Sequence, residues 1–305
     1  MNFEESVKYL KSFISYEDFA VIKYSAKKFD LDRFKKFLGA YGVAYEKLKC
    51  IHVAGSKGKG TTCTIMASYL SKIGVKTGLF TSPYIVDITE MIAVDGVKIS
   101  KKDFVSYVAD LRKFVEASGF CITYFEMITA VMFRYFIDRN VEIAVIEVGL
   151  GGRLDSTNVC FPIATVLTIV EKEHTEVLGK TYHEILNEKL GIVKKGIPLF
   201  VGHQSAFVKK EIFSRKFPSS VFYVNEKSNM DLAKECLIWV SKNVLKRSFD
   251  FMIFNRCASE LKIIGRFQVE NVNGRDVVFD MAHTAMSAKM LRNRLEDFFG
   301  DKKFV

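Results

Sequence analysis

Residues 51–82, IHVAGSKGKGTTCTIMASYLSKIGVKTGLFTS, constrain this chain more than any other stretch, because they read as strand, glycine-rich turn, helix and second strand in immediate succession. Ile51 and Val53 supply apolar strand character. Gly55, Gly58 and Gly60 let the backbone turn tightly and aim several N–H groups at one point, and Thr61 opens a helix whose positive end faces it too. Lys59 adds a full charge on the same turn, which suits a nucleotide triphosphate better than a lone carboxylate. The spacing departs from G-x-x-x-x-G-K-[ST], since Gly60 follows the lysine directly. A glycine-rich turn that binds nothing is the bland alternative, and a lysine set among three glycines argues against it. Dinucleotide binding is the weaker rival: G-x-G-x-x-G is absent, and no acidic residue lies about 20 residues on, where a ribose would want one.

The chain is 305 residues long, enough for one large domain and part of another. Although 49% of its residues are hydrophobic, no run reaches the 18 or so apolar residues a membrane span needs. The N-terminus, MNFEESVKYLKSF, lacks an apolar signal-peptide segment, so a soluble, cytoplasmic protein is expected. The six cysteines show no C-x-x-C pairing and sit in apolar or strand-like company, which reads as reduced core residues without zinc or disulfides. A formal net charge of +10 raises the question of nucleic acid. The lysines are spread over helix faces and no basic run is interleaved with aromatics, so attraction to small polyanions is the more economical account.

In chain order, helices are expected at 3–14 and 30–39, the second capped by Asp30 and forming a lid-side preamble to the first strand. A hairpin follows around Asp95-Gly96, then helices at about 101–117, capped by Ser100, and at about 124–139. Glu126 in the first turn of the last could touch a ligand, but an acid there is more often dipole compensation. The near-continuous apolar strand at 143–147 suits a parallel sheet buried on both faces and delivers Glu147 to its C-terminal end, where active sites of open α/β sheets lie. Strand 163–170 ends in EKEHTEVLG, so His174 emerges at the same rim as a candidate metal ligand. A helix over 181–195 carries Lys189, another strand spans 198–202, and a helix is expected near 229–245. LKIIGRFQ reads as a strand ending in Arg266. Residues 274–299 then repeat the strand, turn, helix syntax with Asp280 and His283 at the strand end.

Taken together these stretches resemble the folylpolyglutamate synthase / dihydrofolate synthase family of Mur-ligase-like amide ligases. HVAGSKGKGTT is similar to that family's HVAGTNGKGS loop, and GLFTSPYIVDITEMI to its TSPH stretch. VIEVGLGGRLDSTNV is close to its most specific motif. HTEVLG, NEKLGIVKKG, GRFQ and FDMAHT resemble further segments in the same order. The resemblance implies an α/β fold: a P-loop-type, mostly parallel sheet with flanking helices over 1–268, then the start of an incomplete Rossmann-like domain over 269–305. It implies ATP held at Gly55, Ser56, Gly58, Lys59, Gly60, Thr61 and Thr62, with Asn229, Arg266, Asp280 and His283 contacting ATP or the reacting groups. It also implies magnesium, two ions in all, on Ser82, Glu147, His174 and a carbamylated Lys189. Ser56-Lys57 stand where the family has Thr-Asn, Glu173 where it has Asp, and Thr284-Ala285 where it has Asn-Pro.

The activity so implied is ATP-dependent addition of L-glutamate to dihydropteroate or a folate through an acyl phosphate, with Lys59, Glu147, His174 and Lys189 at the chemistry. Because only the first strand and helix of the second domain are legible, an inactive homologue, or one dependent on a second chain for the missing part, is the alternative. A small-molecule kinase is a weaker third. Neither nucleic acid nor a membrane is an expected partner.

Overall fold

The computed structural model describes residues 1–13, 30–226, 228–261, 265, 267–282 and 285–300. The chain divides into two compact units, Met1–Ala258 and Ser259–Val305, earlier than the 268/269 boundary expected. No helix among the described residues is long and apolar enough to cross a membrane.

In the first unit, α1 (Phe3–Lys11) starts in a capping box, Asn2 accepting from Glu5 N and Glu5 from Asn2 N. Asp30 caps α2 (Leu31–Ala40), which buries Phe34, Phe37 and Leu38 in the main core. β1 (Lys49–Ala54), α3 (Lys59–Lys72) and β2 (Thr77–Phe80) realise the strand, turn, helix, strand order. β3 (Ile92–Val94) and β4 (Val97–Lys98) form the hairpin, with Asp95 and Gly96 both at positive φ, 50° and 78°, as a two-residue turn of that hand requires. Ser100 caps α4 (Lys101–Ser118), and α5 (Tyr124–Asp138) is buried along most of its length, from Phe125 to Phe136.

β5 (Ile143–Glu147), β6 (Ala164–Leu167), β7 (Leu199–Val201) and β8 (Val221–Tyr223) complete the sheet. Between them come α6 (Thr175–Leu178), α7 (Tyr182–Leu190) and α8 (Ala206–Phe213). α9 (Asn229–Asn243) and α10 (Phe251–Glu260) follow. The strand order is β4-β3-β2-β5-β1-β6-β7-β8, parallel at every pairing from β2 to β8 and antiparallel at the two pairings β2–β3 and β3–β4 along one edge. β5, β6 and β7 are buried at every position, as strands covered by helices on both faces must be. β1 lies centrally, and the chain leaves it towards β2 on one side and later returns on its other side with β6. Crevices at the C-terminal ends of strands on either side of such a reversal are where ligands bind in open α/β sheets.

The two caps at the front of the main core are tied together. Arg33 on α2 reaches Glu126 at 2.6 Å, and the Glu126 carboxylate also accepts from Thr123 N as the far half of a capping box. Glu126 is 4% exposed, so its two oxygens serve structure. Arg33→Ala leaves a buried carboxylate with its cap alone and should destabilise the fold by about 2 kcal/mol. Urea unfolding measures this, and an unchanged midpoint would refute the assignment.

Five cysteines, at 50, 63, 160, 236 and 257, are buried and unpaired, but Cys121 is exposed. It lies in the connection between α4 and α5, where apolar neighbours in sequence do not form a common face. In the second unit, β9 (Gln268–Val272) and β10 (Arg275–Phe279) make an antiparallel hairpin, followed by α11 (Ala285–Phe299). The strand expected over 261–268 falls largely on 262–264 and 266, which lie outside the described residues. β9 begins only at Gln268.

Candidate functional site

The turn from β1 into α3 is built around glycines whose backbone conformation or close neighbours disfavour a side chain. Gly55 has φ +147°, and a Cβ there would lie 1.8 Å from Thr168 Oγ1. Gly58 is left-handed at φ +84°, and its Cβ would meet the Asn229 amide at 2.3 Å. Asn229, first residue of α9, is thereby placed directly on the loop. Gly55→Ala therefore combines backbone strain with a clash and should cost roughly 3 kcal/mol or more of stability. Chemical denaturation reads this out, and a native-like midpoint would contradict the close approach.

Gly58 is the N-cap of α3 and, having no side chain, leaves the first-turn amides of Lys59, Gly60 and Thr61 without a side-chain cap. Thr62 N instead bonds Gly58 O at 2.9 Å, and its buried hydroxyl donates to the same carbonyl at 2.8 Å. Amides of this kind, at the positive end of a 14-residue helix, are suited to an anion.

Glu147, last residue of β5 and 4% exposed, faces that helix end. Its Oε1 stands 3.9 Å from Lys59 Nζ, its Oε2 accepts from Ser82 N at 3.0 Å, and a Cβ on Gly60 would come within 3.2 Å of it. Lys59, Gly60, Ser82 and Glu147 are thus gathered in one place by three segments far apart in sequence.

A second group lies behind the loop. Lys189 Nζ on α7 donates to Gly55 O at 2.8 Å and pairs with Glu173 Oε1 at 2.9 Å. Burial pushes the Lys189 amine down to about 8, against the pull of Glu173. Burial pushes the Glu173 carboxyl up, but Lys189, Lys59 and the Ser56 hydroxyl together hold it below its usual range. His174 is less engaged: it opens α6 in the left-handed region at φ 47°, its side chain is 54% exposed, and its ion-pair contact is with Glu176 at 3.9 Å. The structure groups Lys189 with Glu173 and Gly55, and groups Glu147 with Lys59 and Ser82.

The GGRLDSTNV stretch is a clasp. Asp155 is fully buried and accepts from Leu150 N and Thr157 N, each at 3.0 Å, and from the Thr157 hydroxyl. Burial drives its carboxyl up, and these bonds pull it back only in part. Thr157 in turn contacts His52 Nε2 on β1 at 2.8 Å. Asn158 donates to Arg153 O and Gly191 O, both at 3.1 Å, and Arg153 pairs with Glu188 at 2.7 Å. The clasp therefore fixes the end of α7, and with it Lys189, against the loop that leaves Glu147. In the second unit Asp280 accepts from Phe267 N and Ala282 N, each at 2.8 Å. Arg266 and His283 lie outside the described residues.

A magnesium ion needs hard oxygen ligands and keeps several waters, taking one or two carboxylates plus substrate phosphates. The Glu147 carboxylate beside Ser82 and the α3 amides fits that demand. Among the described residues no cluster of three or more His, Cys, Asp or Glu forms an all-protein cage. In the sequence Glu173 stands out only as a departure from a motif. Its pairing with Lys189, 16 residues away, leaves no local pattern to detect.

Residues 53–274 match the model of the Mur ligase middle domain. The chain belongs to that family. This Mur ligase homologue is 41% identical over 174 residues to the dihydrofolate synthase/folylpolyglutamate synthase of Bacillus subtilis, covering 55% of the chain and 40% of that protein. It is 39% identical over 208 residues to the folylpolyglutamate synthase of Lacticaseibacillus casei, covering 67% and 46%. The matched segments thus span under half the length of these two relatives. A solved folylpolyglutamate synthase complex with AMPPCP and folate superposes with a TM-score of 0.84 at 28% identity, covering 99% of this chain and 82% of that one. The folylpolyglutamate synthase / dihydrofolate synthase resemblance drawn from the motifs and the mostly parallel α/β fold both stand.

Proposed function

We propose that this Mur ligase homologue is an ATP-dependent amide ligase that joins L-glutamate to a pteroate or folate carboxylate, working in the cytoplasm. The observation that carries the reading is the convergence of Lys59, the open amides of α3 and the Glu147 carboxylate on one point. Relatives that bear the names folylpolyglutamate synthase and dihydrofolate synthase support the substrate class, as does a related complex with an ATP analogue and folate.

In this reading the amides of residues 58–61 and Lys59 hold the β- and γ-phosphates, and Asn229 borders the nucleotide at Gly58. The acceptor carboxylate attacks the γ-phosphorus in line, ADP leaves, and the glutamate amine then displaces phosphate from the acyl phosphate. Lys59 offsets negative charge that develops on the transferring group, and the buried setting of Glu147 excludes water. Glu147, Ser82 and His174 would hold magnesium, which supplies Lewis-acid charge stabilisation when bound. A carbamylated Lys189 would serve a second ion, and it would have to exchange the Glu173 ion pair for that ion. Arg266, Asp280 and His283 are assigned to the nucleotide or the reacting groups.

Incubation with dihydropteroate or tetrahydrofolate, radiolabelled glutamate and Mg-ATP tests the proposal. Labelled conjugate with stoichiometric ADP is expected. Nucleotide binding without conjugate would favour the inactive or partner-dependent alternative, and ADP release driven by a hydroxyl acceptor without glutamate would favour a kinase.

A further inference from the structure

The phosphate loop is held from behind by a segment that the proposed chemistry does not use. Beyond β6 the chain runs antiparallel to the loop, with Lys57 and Ile169 forming a bridge. Ser56 N donates to Ile169 O at 2.8 Å, and Ser56 Oγ donates to Glu171 O at 3.1 Å while accepting from Glu171 N at 2.9 Å. Beside these ties lies an ion pair, Lys57 Nζ to Glu171 Oε2 at 2.6 Å, with side chains 22% and 21% exposed. Two residues further on, Glu173 holds Lys189, which binds Gly55 O.

Two lysines therefore flank Gly58, and their surroundings differ. Lys57 is engaged by a carboxylate at short range, whereas Lys59 stands 3.9 Å from its counter-ion. Of the two, Lys59 is the one free to turn to an incoming phosphate. Lys57 and Glu171 cancel each other's charge, so what their pair contributes is geometry. We propose that Lys57 and Glu171 are positioning residues of the nucleotide site. Their ion pair pins the first half of the loop to the 169–173 segment, so that the amides of 58–61 are aimed before nucleotide arrives and binding does not have to order them. The inference rests on the loop being a triphosphate site. Lys57 is also where the sequence departs from the Asn of the HVAGTNGKGS pattern, and its partner lies more than a hundred residues away.

Calorimetric titration of the full chain with AMPPCP and magnesium tests this, using Lys57→Met, Lys57→Gln, Glu171→Gln and the exchange Lys57→Glu/Glu171→Lys, with thermal midpoints alongside. Each single variant is expected to raise Kd about fivefold, the scale of a partly exposed ion pair, and the exchange to restore Kd to within about twofold. In turnover assays the same loss should fall on KM for ATP and not on kcat. Three results overturn the proposal. The first is a Glu171→Gln affinity that is unchanged or tighter, as expected if Lys57 were freed to contact phosphate. The second is an exchange variant whose Kd stays as high as those of the single variants, and the third is thermal midpoints that fall with Kd unaltered. Absence of binding by the unmodified chain would instead refute the triphosphate reading itself, and the positioning role with it.

Discussion

Lys59→Met should lower ATP-dependent turnover by about 10³-fold, a loss of about 4 kcal/mol in transition-state stabilisation. The estimate follows from the charge. A single ammonium about 4 Å from a phosphoryl oxygen contributes about 4 kcal/mol at the effective dielectric of roughly 20 found near protein surfaces. Methionine keeps the length of the side chain and removes only that interaction. The folded state loses little, because the Lys59–Glu147 pair spans 3.9 Å and the Glu147 carboxylate keeps the bond that Ser82 N donates to its Oε2. A thermal midpoint close to that of the parent, together with collapsed turnover, is the expected combination. Turnover within a few-fold of the parent would remove Lys59 from the chemistry.

Glu147→Gln carries the second large effect, with opposite signs under two conditions. The amide oxygen can still accept from Ser82 N, so the packing at the end of β5 is kept, and what disappears is one negative charge facing the phosphate loop. Without a metal, that charge repels nucleotide, so the variant should bind ATP in EDTA at least as well as the parent. With magnesium the carboxylate is an attraction, and its loss should weaken Mg-ATP binding and lower turnover by about 10²-fold, a loss partly recovered at high magnesium. Titrations of ATP with and without magnesium separate these. Equal weakening in both would mean that Glu147 supports the loop structurally and holds no ion.

Much of this architecture was readable from local residue order. The glycine pattern at 55–60, the caps at Asp30 and Ser100 and the apolar run ending in Glu147 each act over a few residues, and each is found in place. Position after a strand suggested a metal ligand at His174, and nothing in the residue order signalled that its side chain would stand half exposed beside Glu176. Cys121 was misread because apolar company in sequence says nothing of burial outside a regular element. What stayed hidden was pairwise and distant. Arg33 with Glu126, Lys57 with Glu171 and Lys189 with Gly55 join residues brought together only by the strand order. GGRLDSTNV was legible as important, yet its Asp155, Thr157 and Asn158 spend their hydrogen bonds on a clasp that sets α7.

The most direct measurement is the fate of isotope from the acceptor carboxylate. With ¹⁸O-labelled pteroate or folate carboxylate, glutamate and Mg-ATP, attack on a γ-phosphorus seated at Gly58–Thr61 must carry one labelled oxygen into each phosphate released. Phosphate bearing that label, formed together with the conjugate and lost in Lys59→Met, is the outcome expected. Unlabelled phosphate would mean that water attacks the nucleotide instead, and the ligase account would fail.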